Sequence, residues 1–195
     1  MVLPGLALFP NGIVPLRIFE PRYRAMLEWA LGHDRMFCIA LLKPGIAEAV
    51  TEDQFFHTAG VGLVSASVTQ PDGTSKLMLQ GLARVRFTGF SQLQPFRIAK
   101  LRTISPIAGD SEEAAALAGE VRDLCTGLAD RRVSLPESFV GMLGRITDPE
   151  DLADAVAHSL ISDPFDRQAL LEERDPAARL RTILRLLRGQ FPGVA

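Results

Sequence analysis

The spacing of apolar residues changes once along this chain of 195 residues, and that change is the strongest constraint on its fold. Up to about residue 105, short apolar or alternating segments are separated by glycine and proline, a pattern typical of β-strands joined by turns. From residue 106 onwards, apolar residues recur every three or four positions, which is typical of amphipathic helices. We therefore predict an α+β protein with a nearly closed β-sheet over residues 1–105 and an all-α helical bundle over residues 106–195.

The first half contains strand-like segments and one helical segment. Residues 21–31 have helical periodicity, with Pro21 in the first turn and Gly32 as the stop. Pro71-Asp72-Gly73 predicts the turn of an antiparallel hairpin, because proline presets φ and glycine accepts a positive φ. The predicted strands are residues 13–19, 36–42, 61–68, 75–81, 84–87 and 96–101.

The second half of the sequence contains several signals for the start of a helix. Three aspartates, Asp148, Asp163 and Asp175, directly precede prolines. A carboxylate in this position accepts hydrogen bonds from first-turn amides, and a proline at the first helical position lacks an N–H that would have no helical partner anyway. Each Asp-Pro pair therefore predicts the start of a helix. We also predict that the longest helix begins at Asp110 and that a short helix begins at Pro136.

The residue patterns predict neither catalysis nor a cofactor. Lysine occurs only as Lys43, Lys76 and Lys100, and none follows a glycine, so a phosphate-binding Gly-Lys-Ser/Thr loop is excluded. Because neither His-x-x-x-His nor Cys-x-x-Cys occurs, we predict no metal site. Cys38 and Cys125 lie in apolar surroundings and are predicted to be buried, reduced thiols of a cytoplasmic protein.

Several segments, in a fixed order, match one known family. They are Leu8-Phe9-Pro10, residues 15–24, residues 61–64, and residues 79–86 with Gln80 in place of the usual acid. Together they resemble the amino-terminal domain of Lon, the ATP-dependent protease, and especially the stand-alone Lon-domain proteins. The resemblance implies a PUA-like pseudo-β-barrel followed by a helical bundle. It also implies recognition of polypeptides in protein quality control.

The resemblance covers only one part of Lon. In the full protease a long helix, an ATPase module and a Ser–Lys peptidase module follow this domain, whereas this sequence stops at Ala195. We therefore expect a non-catalytic binding module. The implied partners are unfolded or exposed hydrophobic polypeptide segments, which would be delivered to a separate protease or chaperone. We expect a monomer or weak dimer that acts away from membranes and needs no cofactor.

Three aromatic residues are candidates for contact with such segments. Phe55, Phe56 and Trp29 are the aromatic residues least explained by the predicted strand and helix faces. Exposed apolar groups beside loops suit a protein that binds unfolded chains. Packing in the core is the alternative for each of them, because aromatic residues dominate protein cores.

The other motif residues are predicted to have structural roles and not to bind a ligand. They are Glu20, Pro21, Arg22, Tyr23, Gly81 and Arg84. Residues 19–23 are predicted to form a structural joint. We expect the carboxylate of Glu20 to accept first-turn amides of the helix, while Arg22 ties this helix to the strands.

RNA binding is the alternative function, because PUA-like barrels in other families hold RNA. Arg84, Arg86, Arg97 and Arg102 alternate along predicted strands and would share a face. A net charge of −2 argues against general affinity for nucleic acids. Arg181, Arg185 and Arg188 in the last predicted helix are expected to form a solvated face.

Overall fold

The computed structural model describes residues 1–107, 109, 111–130 and 137–192. It divides into two compact units, Met1–Ile104 and Ser105–Ala195. The first unit is built around a six-stranded sheet with one α-helix, and helices make up the second. The α+β class predicted from the sequence is confirmed.

One mixed sheet organises the first unit. Its strands are β1 (Val2–Leu3), β2 (Ile13–Ile18), β3 (Met36–Leu41), β4 (Thr58–Thr69), β5 (Ser75–Gln92) and β6 (Ile98–Thr103). The strand order is β1-β3-β4-β5-β2, and β6 also pairs with β5. Strand β1 is parallel to β3, whereas the other pairs are antiparallel. The long β5 unites the sheet, because β4 pairs along most of it while β2 and β6 pair with its two ends.

The predicted hairpin is confirmed, but its second strand is longer than expected. Strands β4 and β5 are antiparallel, and Gly73 in their turn has a φ of 75°. The prediction of two separate strands over residues 75–81 and 84–87 is wrong, because both segments belong to β5. The chain does not turn after Gly81. A glycine is needed there for another reason.

Gly81 lets the segment around Leu8 and Phe9 cross the sheet at close range. Both of these side chains are fully buried. The amide of Asn11 donates to the carbonyl of Gly81 at 2.9 Å, and the amide of Gly81 donates to the carbonyl of Gly12 at 2.8 Å. A Cβ at Gly81 would overlap the carbonyl oxygen of Phe9. The crossing therefore requires a residue without a side chain.

Helix α1 (Pro21–Leu31) has the predicted bounds, but the joint at its start differs from the prediction. Glu20 occupies the N-cap position, yet its side chain makes no hydrogen bond to the first turn. Its carboxylate pairs with Arg22 at 2.7 Å, and Arg22 also pairs with Glu48. The expected Glu20 cap is wrong, because the guanidinium offers stronger, charge-assisted hydrogen bonds than the amides do. Arg22 ties α1 to the loop that contains Glu48 and not to a strand.

The described part of the second unit contains five α-helices. They are α2 (Ser111–Asp130), α3 (Glu137–Leu143), α4 (Pro149–Leu160), α5 (Pro164–Glu172) and α6 (Pro176–Gln190). The side chains of Asp148, Asp163 and Asp175 accept hydrogen bonds from first-turn amides, which confirms all three Asp-Pro starts. The predicted starts at Asp110 and Pro136 lie outside the described residues.

Helices α4 and α6 are joined by an ion pair in the core of this unit. Nη1 of Arg179 lies 2.8 Å from Oδ1 of Asp154, and both side chains are buried. Two further nitrogens of the guanidinium donate to the carbonyl of Glu173. The other arginines of α6 behave as predicted, since Arg181 and Arg188 are exposed and pair with acids on α2.

Candidate functional site

An apolar pocket of about 220 Å³ lies in the first unit between α1, β3 and the paired strands β5 and β6. Its rim reaches the surface at Trp29 and Leu101, whose side chains are 39% and 44% exposed. Its walls include Met26, Met36, Phe87, Phe90, Phe96 and Ile98. Within the described part of the chain, Asp34 and Arg97 are the charged side chains among its lining residues.

The geometry of α1 brings three of its residues to the pocket. Met26, Trp29 and Ala30 are separated by three and four positions, so they share one helical face. The ring of Trp29 stacks on His33 with 4.0 Å between centroids, and it lies 6.2 Å from the ring of Phe96. Trp29 is therefore supported on two sides and still presents part of its ring to solvent.

Strand β1 closes the inner side of the pocket and is held to α1 by Tyr23. The Tyr23 hydroxyl donates to the carbonyl of Val2 at 2.9 Å and accepts from the amide of Val2 at 3.2 Å. Burial raises the pKa of Tyr23 above its ordinary value, so this hydroxyl stays protonated at neutral pH and keeps donating. Tyr23 thus joins α1 to β1.

Cys38 lines the pocket but has no reactive character. Burial raises the pKa of the Cys38 thiol to about 11, so the thiolate that would act as a nucleophile is not formed at neutral pH. Its side chain is half-buried, whereas Cys125 is buried in the second unit as predicted. Cys38 contributes a small apolar surface to the wall of the pocket.

A more polar cavity of about 370 Å³ adjoins the apolar pocket. The two cavities share Met26, Phe96 and Arg97. The polar cavity is also lined by Arg22 and Glu48, which pair with each other. An extended chain entering from the surface would therefore meet an apolar pocket and a charged region side by side.

The three predicted contact residues have different positions. Trp29 lies on the rim of the apolar pocket. Phe55 is fully buried, with its ring against Phe87 and Phe90, so an exposed Phe55 is ruled out and its ring forms part of the inner wall. Phe56 is half-buried and does not line this pocket. The binding roles of Trp29 and Phe56 stay predictions.

Phe96 was not recognised from the sequence as a site residue, and Arg97 was named only as a contact for RNA. They lie in the connection between β5 and β6 and reach the pocket only because β6 folds back along β5. No local sequence pattern indicates that these two residues lie at the pocket. Met26 and Ala30 were recognisable as residues on one face of α1, but the sequence does not show that this face borders an open pocket and not a closed core.

The four arginines proposed for RNA contact do not form one exposed face. Arg84 is 4% exposed, with its guanidinium 5.9 Å from the ring centroid of Phe9. Arg97 donates to backbone carbonyls in the loop before β4. Arg86 and Arg102 are exposed and lie opposite each other on β5 and β6. Of the four arginines, only Arg86 and Arg102 match the prediction of a shared face.

The described residues provide no arrangement for metal binding. Within the ranges that the structure covers, no three His, Cys, Asp or Glu side chains lie close enough together to hold a metal ion. Lys76 and Lys100 are exposed on their strands, as predicted. Among the helices described here, none combines the length and the apolar character that crossing a membrane requires.

Comparison with known proteins gives a consistent family match. A family model described as the ATP-dependent protease La (LON) substrate-binding domain matches residues 1–189. The Lon protease of Trichlorobacter lovleyi is 30% identical over 183 residues, which cover 93% of this chain and 22% of that protein. Lon protease 1 of Myxococcus xanthus is 26% identical over 194 residues, which cover 97% of this chain and 24% of that protein. The chain thus spans less than a quarter of the length of these relatives.

Solved structures match the fold over nearly the whole chain. The N-terminal domain of Mycobacterium avium complex Lon protease superimposes with a TM-score of 0.76 at 18% identity, covering 98% of this chain and 97% of that one. A Lon N-terminal domain protein from Xanthomonas campestris gives a TM-score of 0.66 at 20% identity, covering 94% of this chain and 95% of that one. At these identities the likeness establishes the fold.

Proposed function

This chain belongs to the family of the ATP-dependent protease La (LON) substrate-binding domain, and we propose that it is a non-catalytic module that binds unfolded or exposed hydrophobic polypeptide segments. The matched family is described by substrate binding, and the substrates of a protease are polypeptides. We further propose that the bound segments pass to a separate protease or chaperone.

The apolar pocket is the observation that carries this proposal. It opens at Trp29 and Leu101, which expose large apolar side chains next to a concave apolar surface. A protein that recognises unfolded chains needs such a surface, because buried apolar side chains become available only when a client is unfolded. The adjoining polar cavity gives room for the peptide backbone next to an inserted side chain.

We expect weak binding of an unfolded client that depends on the rim of the pocket. Leu101→Ser should weaken the binding of fluorescently labelled, reduced casein about fivefold to tenfold, the effect of losing roughly 1–1.5 kcal/mol of apolar contact. Fluorescence anisotropy titrations would measure the dissociation constants. Because the attraction is apolar, the wild-type affinity should persist when the salt concentration is raised.

Leu82→Ser is the matched control for this substitution. Leu82 on β5 is 45% exposed, close to the 44% of Leu101, but it lines none of the cavities described above. The Leu82→Ser substitution should leave the affinity for casein unchanged. Equal loss in both variants would contradict the pocket as the binding site. Tight binding of a structured RNA that collapses with added salt would instead support the RNA alternative.

The second expected result concerns catalysis. Purified protein should neither hydrolyse ATP nor cleave unfolded casein, because the sequence has no phosphate-binding loop and the pocket thiol is protonated at neutral pH. Phosphate release and gel assays would measure the two activities. An activity that co-purifies with the protein and disappears when a single residue of this chain is substituted would contradict the non-catalytic assignment.

A further inference from the structure

Arg97 places a positive charge where the apolar pocket meets the polar cavity. It lines both of these cavities and also a third one of about 70 Å³. Its Nη2 donates to the carbonyls of Ala49 and Val50 at 2.9 and 3.0 Å, and its guanidinium lies 5.6 Å from the ring centroid of Phe55. These contacts hold the side chain in place without neutralising it.

No carboxylate of the described residues lies within 4.0 Å of the Arg97 nitrogens. Nε and Nη1 also have no hydrogen-bond partner in that part of the chain. The nearby Arg22 differs, because it pairs with both Glu20 and Glu48. Among the described residues, the Arg97 guanidinium therefore lacks an acidic partner and lies beside an apolar pocket of defined size.

We propose that the apolar pocket and Arg97 together bind the C-terminal residue of a polypeptide, with its apolar or aromatic side chain in the pocket and its α-carboxylate on Arg97. This inference rests on the proposed function and specifies which part of a client is recognised. The carboxylate of a terminal residue is attached to the same Cα as its side chain, so both groups reach neighbouring subsites at once. An internal residue offers only a neutral amide at that position.

The size of the pocket favours a single side chain. A cavity of about 150 Å³ is enough to hold benzene, and this pocket measures about 220 Å³. It therefore accommodates one aromatic or large aliphatic side chain and is too small for a folded element.

Asp34 is the other charged residue in the wall, and its carboxylate accepts from the amide of Met36. This acid disfavours a second negative charge at its end of the pocket and so directs the ligand carboxylate to Arg97.

The test compares short tryptophan-free peptides that end in phenylalanine and differ only as a free acid or a C-terminal amide. The chain has one tryptophan, Trp29, on the rim, so its fluorescence reports binding directly. We expect the free acid to bind about tenfold more tightly than the amide, the usual size of a charge-assisted hydrogen bond. Appending one glycine to the free acid should abolish most of this preference, because it moves the carboxylate away from the aromatic residue.

Two substitutions assign the preference to Arg97. Arg97→Gln should reduce the affinity for the free acid to that for the amide, and Arg97→Lys should keep part of the difference. Arg102→Gln is the matched control, because Arg102 is exposed on the same hairpin and lines none of the described cavities. It should retain the full preference. Thermal melting would verify that each variant is folded, and the acid–amide comparison on wild-type protein decides the question even if Arg97→Gln unfolds.

The outcomes separate this inference from the function on which it rests. Equal affinity for acid and amide, with casein binding still sensitive to Leu101→Ser, would overturn C-terminal recognition and leave polypeptide binding standing. Absence of any binding of casein and both peptides would overturn both.

Discussion

Arg179→Met is expected to destabilise the second unit by about 3–5 kcal/mol, the usual cost of removing one partner from a buried ion pair. Arg179 is 0% exposed and Asp154 is 1% exposed. The substitution removes the cation opposite a buried carboxylate and the donors that reach the carbonyl of Glu173. Urea denaturation followed by helical circular dichroism would measure the loss.

Two further variants distinguish this mechanism from a general sensitivity of α6. Arg181→Met on the same helix removes an exposed pair with Glu113 and should change stability far less, because solvent screens that pair. The double variant Arg179→Met with Asp154→Leu should recover much of the loss, since the buried charge is removed together with its partner. If Arg179→Met costs no more than Arg181→Met, the buried pair does not stabilise this unit.

The ion pair between Asp154 and Arg179 could not be predicted from the sequence, although the helices that carry it could. The starts of α4 and α6 could be predicted, because an aspartate and the proline after it cap a helix through contacts within three residues. The contact between Asp154 and Arg179 joins residues 25 positions apart, and each looks like an ordinary helix surface charge in the sequence. Local signals therefore predicted the elements but not the interactions that join them.

The candidate site was likewise predicted only where local sequence signals were sufficient. Trp29 was singled out from α1, whose bounds the sequence predicted fully. Phe55 follows the alternative of core packing, which the sequence did not single out, because nothing in its own neighbourhood indicates that β5 brings Phe87 and Phe90 against it. Arg97 gains its position from the pairing of β6 with β5, which depends on the whole sheet. Binding sites made by pairing of distant strands have no short sequence signal.

Gly81 is an intermediate case, because the family motif marked it while the physical reason appears only in the structure. The glycine is held on both sides. Its amide and carbonyl bind Gly12 and Asn11, and it is paired with Gly62 on β4. The backbone of Gly81 is therefore held in place next to the crossing segment at Phe9.

Gly81→Ala is accordingly expected to destabilise the first unit by about 3 kcal/mol or more, at the upper end of the cost of overpacking. The new methyl group would overlap the backbone carbonyl of Phe9, and a backbone atom cannot change rotamer to make room. Thermal and urea unfolding, followed by circular dichroism, would measure the effect. Gly32→Ala is the control in the same unit, because its Cβ would lie 3.6 Å from the nearest atom, an ordinary contact. Similar stabilities for the two variants would show that the crossing segment is free to shift, and that the requirement for glycine at Gly81 has another cause.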